Sequence, residues 1–189
     1  MTFCPVCGEE FCARHFDSWW NPETFDWEKS SWILAKHCSD HFYVWWDSQR
    51  FNWQDGSCQL ARRCNKYFDI WWDPDKFSWE RCSWTLAEFC HDRFFDWWDP
   101  DKFNWKFGSC ELARYCTEYF DFWWDPDKFN WKVSWALAKW CHMHFYKWWD
   151  PFKFNVEVNR DLLESYCSQY RHIWERDIRL RKLLRSDSS

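Results

Sequence analysis

A Trp-Trp pair recurs along the chain at nearly constant spacing. The pairs begin at positions 19, 45, 71, 97, 123 and 148, so the intervals are 26, 26, 26, 26 and 25 residues. Around each pair stands the pattern Ser-Trp/Cys-x-Leu-Ala-x-x-Cys-x-x-x-Phe-x-x-Trp-Trp-Asp-Pro-x-Lys-Phe-Asn-Trp. A fixed period of this length is typical of arrays in which each unit buries its apolar face on its neighbours. The sequence therefore predicts a solenoid-like array of six Trp-rich repeats.

Each repeat has the apolar spacing of an amphipathic helix. In residues 83–98 the apolar side chains follow at intervals of three and four, and they are Trp84, Ala87, Cys90, Phe94 and Trp97. A serine stands at a favourable N-cap position in five repeats, as Ser31, Ser57, Ser83, Ser109 and Ser134. The helix is expected to end at Asp99, because the residue before proline avoids the α region. This predicts an all-α fold with one helix of about 16 residues per repeat.

The segments between these helices carry turn-forming residues. Asp-Pro-Asp predicts a short helical turn, with an aspartate cap and proline in the first position. The polar residue between the following Phe and Trp is expected to hydrogen-bond nearby backbone; these residues are Asp26, Asn52, Ser78, Asn104, Asn130 and Asn155. Trp131 and Ser134 are one residue closer than Trp105 and Ser109. We place this deletion in a loop, where it does not rotate a helix.

A second period, twice as long, lies within the first. The residue after the repeated serine alternates between large and small, as Trp32, Cys58, Trp84, Cys110 and Trp135, and Gly56 recurs as Gly108. Alternating surroundings predict an antiparallel α-solenoid with two repeats in each helical hairpin, a 52-residue superperiod. The alternative is a coil with one helix and one extended Lys-Phe-Asn-Trp segment per turn, as in leucine-rich repeats, because Phe-x-Trp alternation is typical of strands.

The two ends of the chain depart from the pattern. We divide the chain into a zinc-knuckle-like cap at 1–15, the repeat array at 16–158, a C-terminal cap helix at 159–185 and a disordered tail at 186–189. Residues 171–185 contain six Arg or Lys against two acids, with large apolar residues between them. This composition is typical of a cap helix with a polar outer face. A basic amphipathic helix could instead contact an anionic membrane or nucleic acid.

The N-terminal cap contains the clearest candidate site. The candidate ligands are Cys4, Cys7, Cys12 and His15. Cys-Pro-x-Cys-Gly is a tight turn that directs two thiolates at one metal ion, and the Cys and His three residues apart on the following helix would complete a tetrahedral zinc site. The layout resembles the knuckle and helix of a small zinc finger. Four protein ligands leave no open position, so this zinc ion would be structural. Cys38 and His41 repeat the spacing of Cys12 and His15, but no Cys-Pro-x-Cys turn precedes them.

The composition argues against several classes of function. The net charge of −5 disfavours a nucleic-acid surface. No apolar run reaches the ~20 residues of a membrane span, and the first residues lack the features of a secretion signal. The recurring aspartates fit helix ends rather than one distinct acid–base pair, so we expect no enzyme. The repeat cysteines are expected to be buried, reduced thiols of a cytoplasmic or nuclear protein; they are Cys12, Cys38, Cys64, Cys90, Cys116, Cys141 and Cys167.

These features favour a non-catalytic scaffold, a protein–protein interaction or assembly component with a rigid aromatic core. Adjacent helical residues point about 100° apart, so the second tryptophan of each pair is left at another interface or at the surface. The candidate binding residues are Trp20, Trp46, Trp72, Trp98, Trp124 and Trp149, with Lys76, Lys102 and Lys128 near them. The alternative is a ligand-binding protein that uses an exposed tryptophan ladder for polysaccharide or single-stranded nucleic acid.

Overall fold

The computed structural model describes residues 3–186, and the regular structure in this part of the chain is helical. The chain divides into two compact units, Met1–Phe103 and Asn104–Ser189. The prediction of an all-α repeat array is confirmed. The alternative with a strand in each repeat is wrong, because the only β pairing among the described residues is one isolated bridge between Phe3 and Glu10.

The first unit alternates short and long helices. In chain order these are α1 (Phe16–Trp19), α2 (Trp27–His37), α3 (Phe42–Trp45), α4 (Trp53–Arg63), α5 (Phe68–Trp71), α6 (Trp79–Phe89) and α7 (Phe94–Trp97). A 3₁₀ turn precedes each short helix, at Ala13–His15, Ser39–His41, Asn65–Tyr67 and His91–Arg93.

The second unit continues the same alternation. Its helices are α8 (Trp105–Tyr115), α9 (Phe120–Trp123), α10 (Trp135–Trp140), α11 (Phe145–Trp148), α12 (Val156–Tyr166) and α13 (Arg171–Ser186). Its 3₁₀ turns are Thr117–Tyr119, Trp131–Val133, His142–His144 and Ser168–Tyr170. No helix in the described part of the chain is both long enough and apolar enough to cross a membrane.

Each repeat holds two helices where the sequence predicted one, and the break falls at the repeat cysteine. Cys90 has non-helical φ and ψ of −127° and 28°. Its carbonyl accepts hydrogen bonds from the backbone N–H of Arg93 at 3.0 Å and from the indole Nε1 of Trp97 at 2.8 Å. The same indole bond, 2.8–3.2 Å long, joins Trp19 to Cys12, Trp45 to Cys38, Trp71 to Cys64, Trp123 to Cys116, Trp148 to Cys141 and Trp174 to Cys167. The repeat therefore extends to a seventh copy.

The long helices begin earlier than the serines predicted. The N-cap is the residue between the connector Phe and Trp, and in α4 the side-chain oxygen of Asn52 accepts from the backbone N–H of Asp55 at 3.2 Å. The prediction of serine N-caps is wrong for Ser31, Ser57, Ser83 and Ser109, which lie inside their helices; Ser134 does stand at the N-cap of α10, but its side chain caps no backbone N–H of that helix. Ser57 lies buried inside α4, donates to the carbonyl of Trp53 at 2.5 Å and accepts from the backbone N–H of Ser78 at 3.1 Å. The hydroxyl thus satisfies a backbone group of the next repeat.

The one-residue deletion lies in a helical turn rather than in a loop. Trp131–Val133 forms a 3₁₀ turn, and α10 follows it directly after Ser134. A 3₁₀ turn contains fewer residues than an α turn, so the missing residue is absorbed before the buried part of the helix begins. The Cys141 carbonyl keeps its usual bond to the indole of Trp148, at 2.8 Å.

Successive long helices within a unit pack side by side and point in the same direction. Near their starts, the side-chain amide of Asn52 donates to the carbonyl of Glu28 at 2.6 Å, and at their ends the Cys64 thiol donates to the carbonyl of Ala35 at 3.8 Å. In the second unit the same bonds join Asn130 to Lys106 and Cys141 to Ala113. The predicted antiparallel hairpins are therefore replaced by parallel stacking with one repeat per coil.

Residues of the large–small alternation contact the neighbouring parallel helix. Cys58 of α4 and Cys82 of α6 form a disulfide, which the sequence did not predict. One turn further along α4, the Arg62 guanidinium lies 4.9 Å from the ring centroid of Trp84 in α6. Both contacts join α4 to α6, and each uses one residue of the alternating set, Cys58 or Trp84.

The C-terminal region predicted as one cap helix consists of most of α12 together with α13. The α12 backbone leaves helical geometry at Asn159, and α13 starts as the seventh short helix with Trp174 fully buried. α13 then continues where other repeats turn into a connector, and Ile178 is also buried. α13 ends at Ser186; the rest of the predicted disordered tail, residues 187–189, lies outside the described residues, as do residues 1–2 of the predicted N-terminal cap.

Candidate metal centre and surface rows

The knuckle turn at the N-terminus is built by backbone hydrogen bonds. The Cys4 carbonyl accepts from the Gly8 N–H, and the Cys4 N–H donates to the Glu9 carbonyl, both at 2.9 Å. Gly8 has φ of +72°, a left-handed conformation that glycine adopts without steric cost. The backbone N–H of Val6 points at the Cys4 sulfur, at 3.4 Å. This arrangement holds the sulfur as a hydrogen-bond acceptor, which is the state required of a metal ligand.

The structure brings all four predicted ligands together. Their ligand atoms lie within 4.8 Å of one another, and the set is Cys4, Cys7, Cys12 and His15. The Nδ1 atom of His15 is 3.5 Å from the Cys4 sulfur and 3.6 Å from the Cys12 sulfur. Cys4 and Cys12 are buried, His15 is half-buried and Cys7 is exposed. A group of three sulfurs and one imidazole nitrogen at this spacing can hold a metal ion.

The electrostatics of the cluster favour a bound cation. Burial raises the pKa of Cys4, but hydrogen bonds from the backbone N–H of Cys7 and the Ser18 hydroxyl, among others, outweigh it and lower that pKa to about 6. A backbone hydrogen bond at Glu9 lowers the pKa of Cys7, yet desolvation and the neighbouring Cys12 and Cys4 outweigh it and raise that pKa to about 11. The Cys4 thiolate therefore forms readily, and its negative charge disfavours ionisation of Cys7 beside it. A bound cation would remove this repulsion between the two thiolates.

The cluster also replaces a missing long helix at the start of the first unit. The Phe11 carbonyl accepts from the Cys38 thiol at 3.8 Å, as the Ala35 carbonyl does from Cys64 one repeat later. Phe11 itself has a positive φ of 50°. His41 contacts the carbonyl of Ala13 through Nε2 at 3.1 Å. The Cys/His cluster therefore fits the role of an N-terminal cap.

Other Cys and His residues with similar spacing belong to the packing. Cys38 donates to the array backbone, and His41 stacks on Phe16 with ring centroids 4.5 Å apart. In the second unit, His144 stacks on Phe120 at 4.3 Å, and Cys141 donates to a carbonyl of the preceding repeat. Within residues 3–186, the four N-terminal ligands are the one Cys/His/acid cluster with metal-binding distances.

The second tryptophans of the pairs, predicted as a binding ladder, are half-buried. Each ring stacks on the phenylalanine of its own short helix at 5.1–5.3 Å; these residues are Trp20, Trp46, Trp72, Trp98, Trp124 and Trp149. The Phe51 and Trp53 rings also contact Trp46, at 5.3 and 5.6 Å. One face of each ring is thus used within the repeat, and part of each side chain remains accessible.

The repeated lysines lie beside the connector tryptophans rather than beside the pairs. Lys76 is 6.0 Å from the Trp53 ring centroid, and Lys102 is 5.8 Å from that of Trp79. Lys102 also pairs with the Asp75 carboxylate at 3.6 Å. Lys128 is half-buried in the second unit. Lys76 and Lys102 therefore link the connectors of successive repeats.

Sequence reasoning missed a row of exposed apolar side chains on the short helices. They occupy the two positions between the buried Phe and the buried Trp, where a helix this short leaves one side uncovered. In the first unit the row is Tyr43, Val44, Ile70 and Phe95, which are 47–73 % exposed. In the second unit Phe122 and Tyr146 stand at these positions, 64 % and 70 % exposed. The sequence did contain the signal: large apolar residues stand at the two positions between the repeat Phe and the Trp pair, where the repeat pattern specifies no residue type.

The fold and cluster together define a class: a Trp-rich helical repeat protein with an N-terminal Cys₃His cluster whose spacing could hold a metal ion. No protein-family model, curated protein or solved structure matches the chain.

Proposed function

We propose that the protein is a non-catalytic repeat scaffold that binds other proteins through its short-helix rows. The observation that carries the proposal is the exposed apolar row, which has at least one large apolar residue on each of α3, α5, α7, α9 and α11. Contiguous exposed apolar side chains are a mark of interaction surfaces. The aromatic core supports the proposal, because its Trp–Cys bonds and ring stacks recur in each repeat and give the rows a rigid base.

The metal cap has a structural role in this proposal, and zinc is the ion that we infer. Three thiolates and one imidazole are a donor set typical of structural zinc. Such an ion has no open position for substrate, which agrees with a non-catalytic protein. We further infer a cytoplasmic or nuclear location, since the ladder cysteines are free and buried. In such a compartment the Cys58–Cys82 pair would be two thiols.

Zinc content and thermal stability of matched variants test the cap. Cys4→Ser is expected to lose the bound zinc and lower the melting temperature, because it removes a buried ligand. Cys110→Ser, a half-buried free cysteine outside the cluster, is the control and should keep one zinc per chain. Full zinc stoichiometry in Cys4→Ser would contradict the proposed site.

Partner capture by matched surface variants tests the rows. Tyr43→Ser combined with Ile70→Ser should leave the melting temperature nearly unchanged and lose the partner proteins found by proximity labelling in cells. The control is Glu28→Ser combined with Gln54→Ser, which alters exposed residues on the long helices. If the row variant keeps every partner that the control keeps, the rows are not the interaction surface.

The alternative function, glycan or single-stranded nucleic-acid binding on the second tryptophans, draws support from their partial exposure alone. Stacking ligands need an open ring face, and Phe42 already covers one face of Trp46. Acrylamide quenching measures how much of these tryptophan side chains remains accessible to solvent. A readily quenched fraction near one tryptophan per repeat would favour the ladder over the scaffold.

A further inference from the structure

A groove with an apolar floor and basic walls lies between α12 and α13. Val156 and Ile178 are buried in its floor, and Arg160, Arg181 and Lys182 line its walls, around a cavity of 130 Å³. A second cavity of 250 Å³ adjoins it and shares Arg160, Ile178 and Lys182. The groove belongs entirely to the second unit.

The position of the groove follows from the repeat. α10 packs against a long helix on each side, α8 and α12. α12 is the last helix that occupies the long-helix position of a repeat. α13 begins in the short-helix position and continues where a connector would lead to a further long helix. The groove is therefore the helix-packing surface at the end of the array, left partly open by the cap.

One substitution makes this surface unsuitable for another copy of the repeat. In interior repeats the corresponding residue is a fully buried serine, and in Ser109 its hydroxyl accepts the backbone N–H of Asn130 at 3.0 Å. Arg160 stands at this position in α12, with about half of its side chain exposed (49 %). A guanidinium cannot accept a hydrogen bond, so it rejects an incoming repeat and offers donors instead.

The charge around the groove is unbalanced. Arg160 pairs with Glu164 at 3.1 Å and with Glu175 at 4.0 Å. Among the described residues, Arg179, Arg181 and Lys182 form no ion pair; Arg179 and Arg181 donate to backbone carbonyls. The remaining acid on the rim is Glu157. Arg179 and Lys182 are thus exposed beside the apolar floor, Arg181 is half-buried there, and one carboxylate offsets the three cations.

We propose that this groove binds an acidic amphipathic helix of a protein partner, which packs on α12 much as α12 packs on α10. The apolar side of that helix would cover Val156 and Ile178, and its carboxylates would pair with Arg179, Arg181 and Lys182. Helix-in-groove recognition uses such apolar anchors at three- and four-residue spacing. The inference rests on the proposed scaffold function and names one site and partner class for it.

A selection experiment tests the groove. The full-length, zinc-loaded protein is the bait for a displayed library of helices of about 18 residues, with apolar positions drawn from Leu, Ile and Ala and polar positions drawn from Glu and Lys. We expect enrichment of Glu at the polar positions. Arg179→Glu combined with Lys182→Glu should weaken the selected helices at least ~tenfold, and added salt should do the same. Arg63→Glu combined with Lys132→Glu is the charge-matched control and should keep binding.

The outcomes separate the groove from the rest of the proposal. Equal enrichment of Lys and Glu, or unchanged binding by a folded Arg179→Glu, Lys182→Glu variant, would overturn the acidic-helix inference. The inference would also be overturned if the groove bound phosphatidylserine vesicles or oligo(dT) more tightly than the selected helices. Both probes are measured with the groove variant and with the charge-matched control. Circular dichroism of both variants verifies folding. None of these results affects the short-helix rows, which have their own variants in the first unit.

Discussion

Adjacent tryptophans in one pair have different structural roles. Trp45 is 1 % exposed, and its indole N–H donates to the Cys38 carbonyl at 2.8 Å, which ends α2 and orients α3. Trp46 is half-buried and stacks on Phe42, whose other face carries Tyr67 at 4.4 Å. Trp45 fixes the backbone of its own repeat, whereas Trp46 is part of a ring stack that extends through Phe42 to Tyr67 of the next repeat.

This difference predicts unequal effects of one conservative substitution. Trp45→Phe should lower the free energy of unfolding by about 2 kcal/mol, because it removes a buried hydrogen bond and leaves a gap. Trp46→Phe, the matched control, keeps a stacking ring and should cost less than about 1 kcal/mol. Urea denaturation measures both. Equal losses would mean that the Cys38 bond contributes nothing beyond packing.

At the scale of the helix, the register of α4 against its connector depends on a missing side chain. A Cβ placed on Gly56 would lie 2.2 Å from Cζ and 2.3 Å from Cε1 of Phe51. Phe51 is 4 % exposed and packed by Trp45, Trp46 and Trp53, so its ring has nowhere to move. The glycine therefore lets the connector ring close onto the helix that follows it.

Gly56→Ala should destabilise the protein although alanine is the better helix former. The helical preference favours alanine by about 1 kcal/mol, but overpacking a core of this kind costs about 1–3 kcal/mol. Gln54→Ala, an exposed position in the same helix, should be neutral or slightly stabilising. Thermal melts of the two variants show whether Gly56→Ala raises or lowers stability. A raised melting temperature for Gly56→Ala would show that the Phe51 ring can move to accommodate the added methyl group.

The sequence pattern predicted the array, most of the buried stripe and the Cys/His cluster because each depends on local spacing. Of the predicted stripe, Ala87, Cys90, Phe94 and Trp97 are buried, while Trp84 is half-buried. The helix break at Cys90 could not be predicted, since it depends on an indole seven residues later that takes the cysteine carbonyl. The role of Ser57 was missed for a similar reason: its partner, the Ser78 N–H, belongs to the next repeat.

At the scale of the whole chain, the buried thiols link stability to pH. Burial raises the pKa of five ladder cysteines to about 12, from 9.0 in an unperturbed thiol; they are Cys38, Cys64, Cys90, Cys141 and Cys167. Burial also raises the pKa of Cys116. Between pH 9 and 12 the unfolded chain loses protons that the folded chain retains. The stabilisation is therefore complete below pH 9 and is lost as the pH rises toward 12.

The expected slope is about 1.4 kcal/mol per pH unit for each thiol that ionises only in the unfolded chain. Tyrosines and lysines also titrate in this range, so we compare the protein with Cys64→Ala, which lacks one ladder thiol and shares every other group. The variant should be less stable at pH 8, because it loses the bond to Ala35 and some packing. The difference between the two proteins should then shrink above pH 9, since the variant has one thiol fewer to ionise. Chemical denaturation from pH 8 to 11 measures it, and a constant difference would show that Cys64 ionises as readily in the folded chain as in the unfolded one.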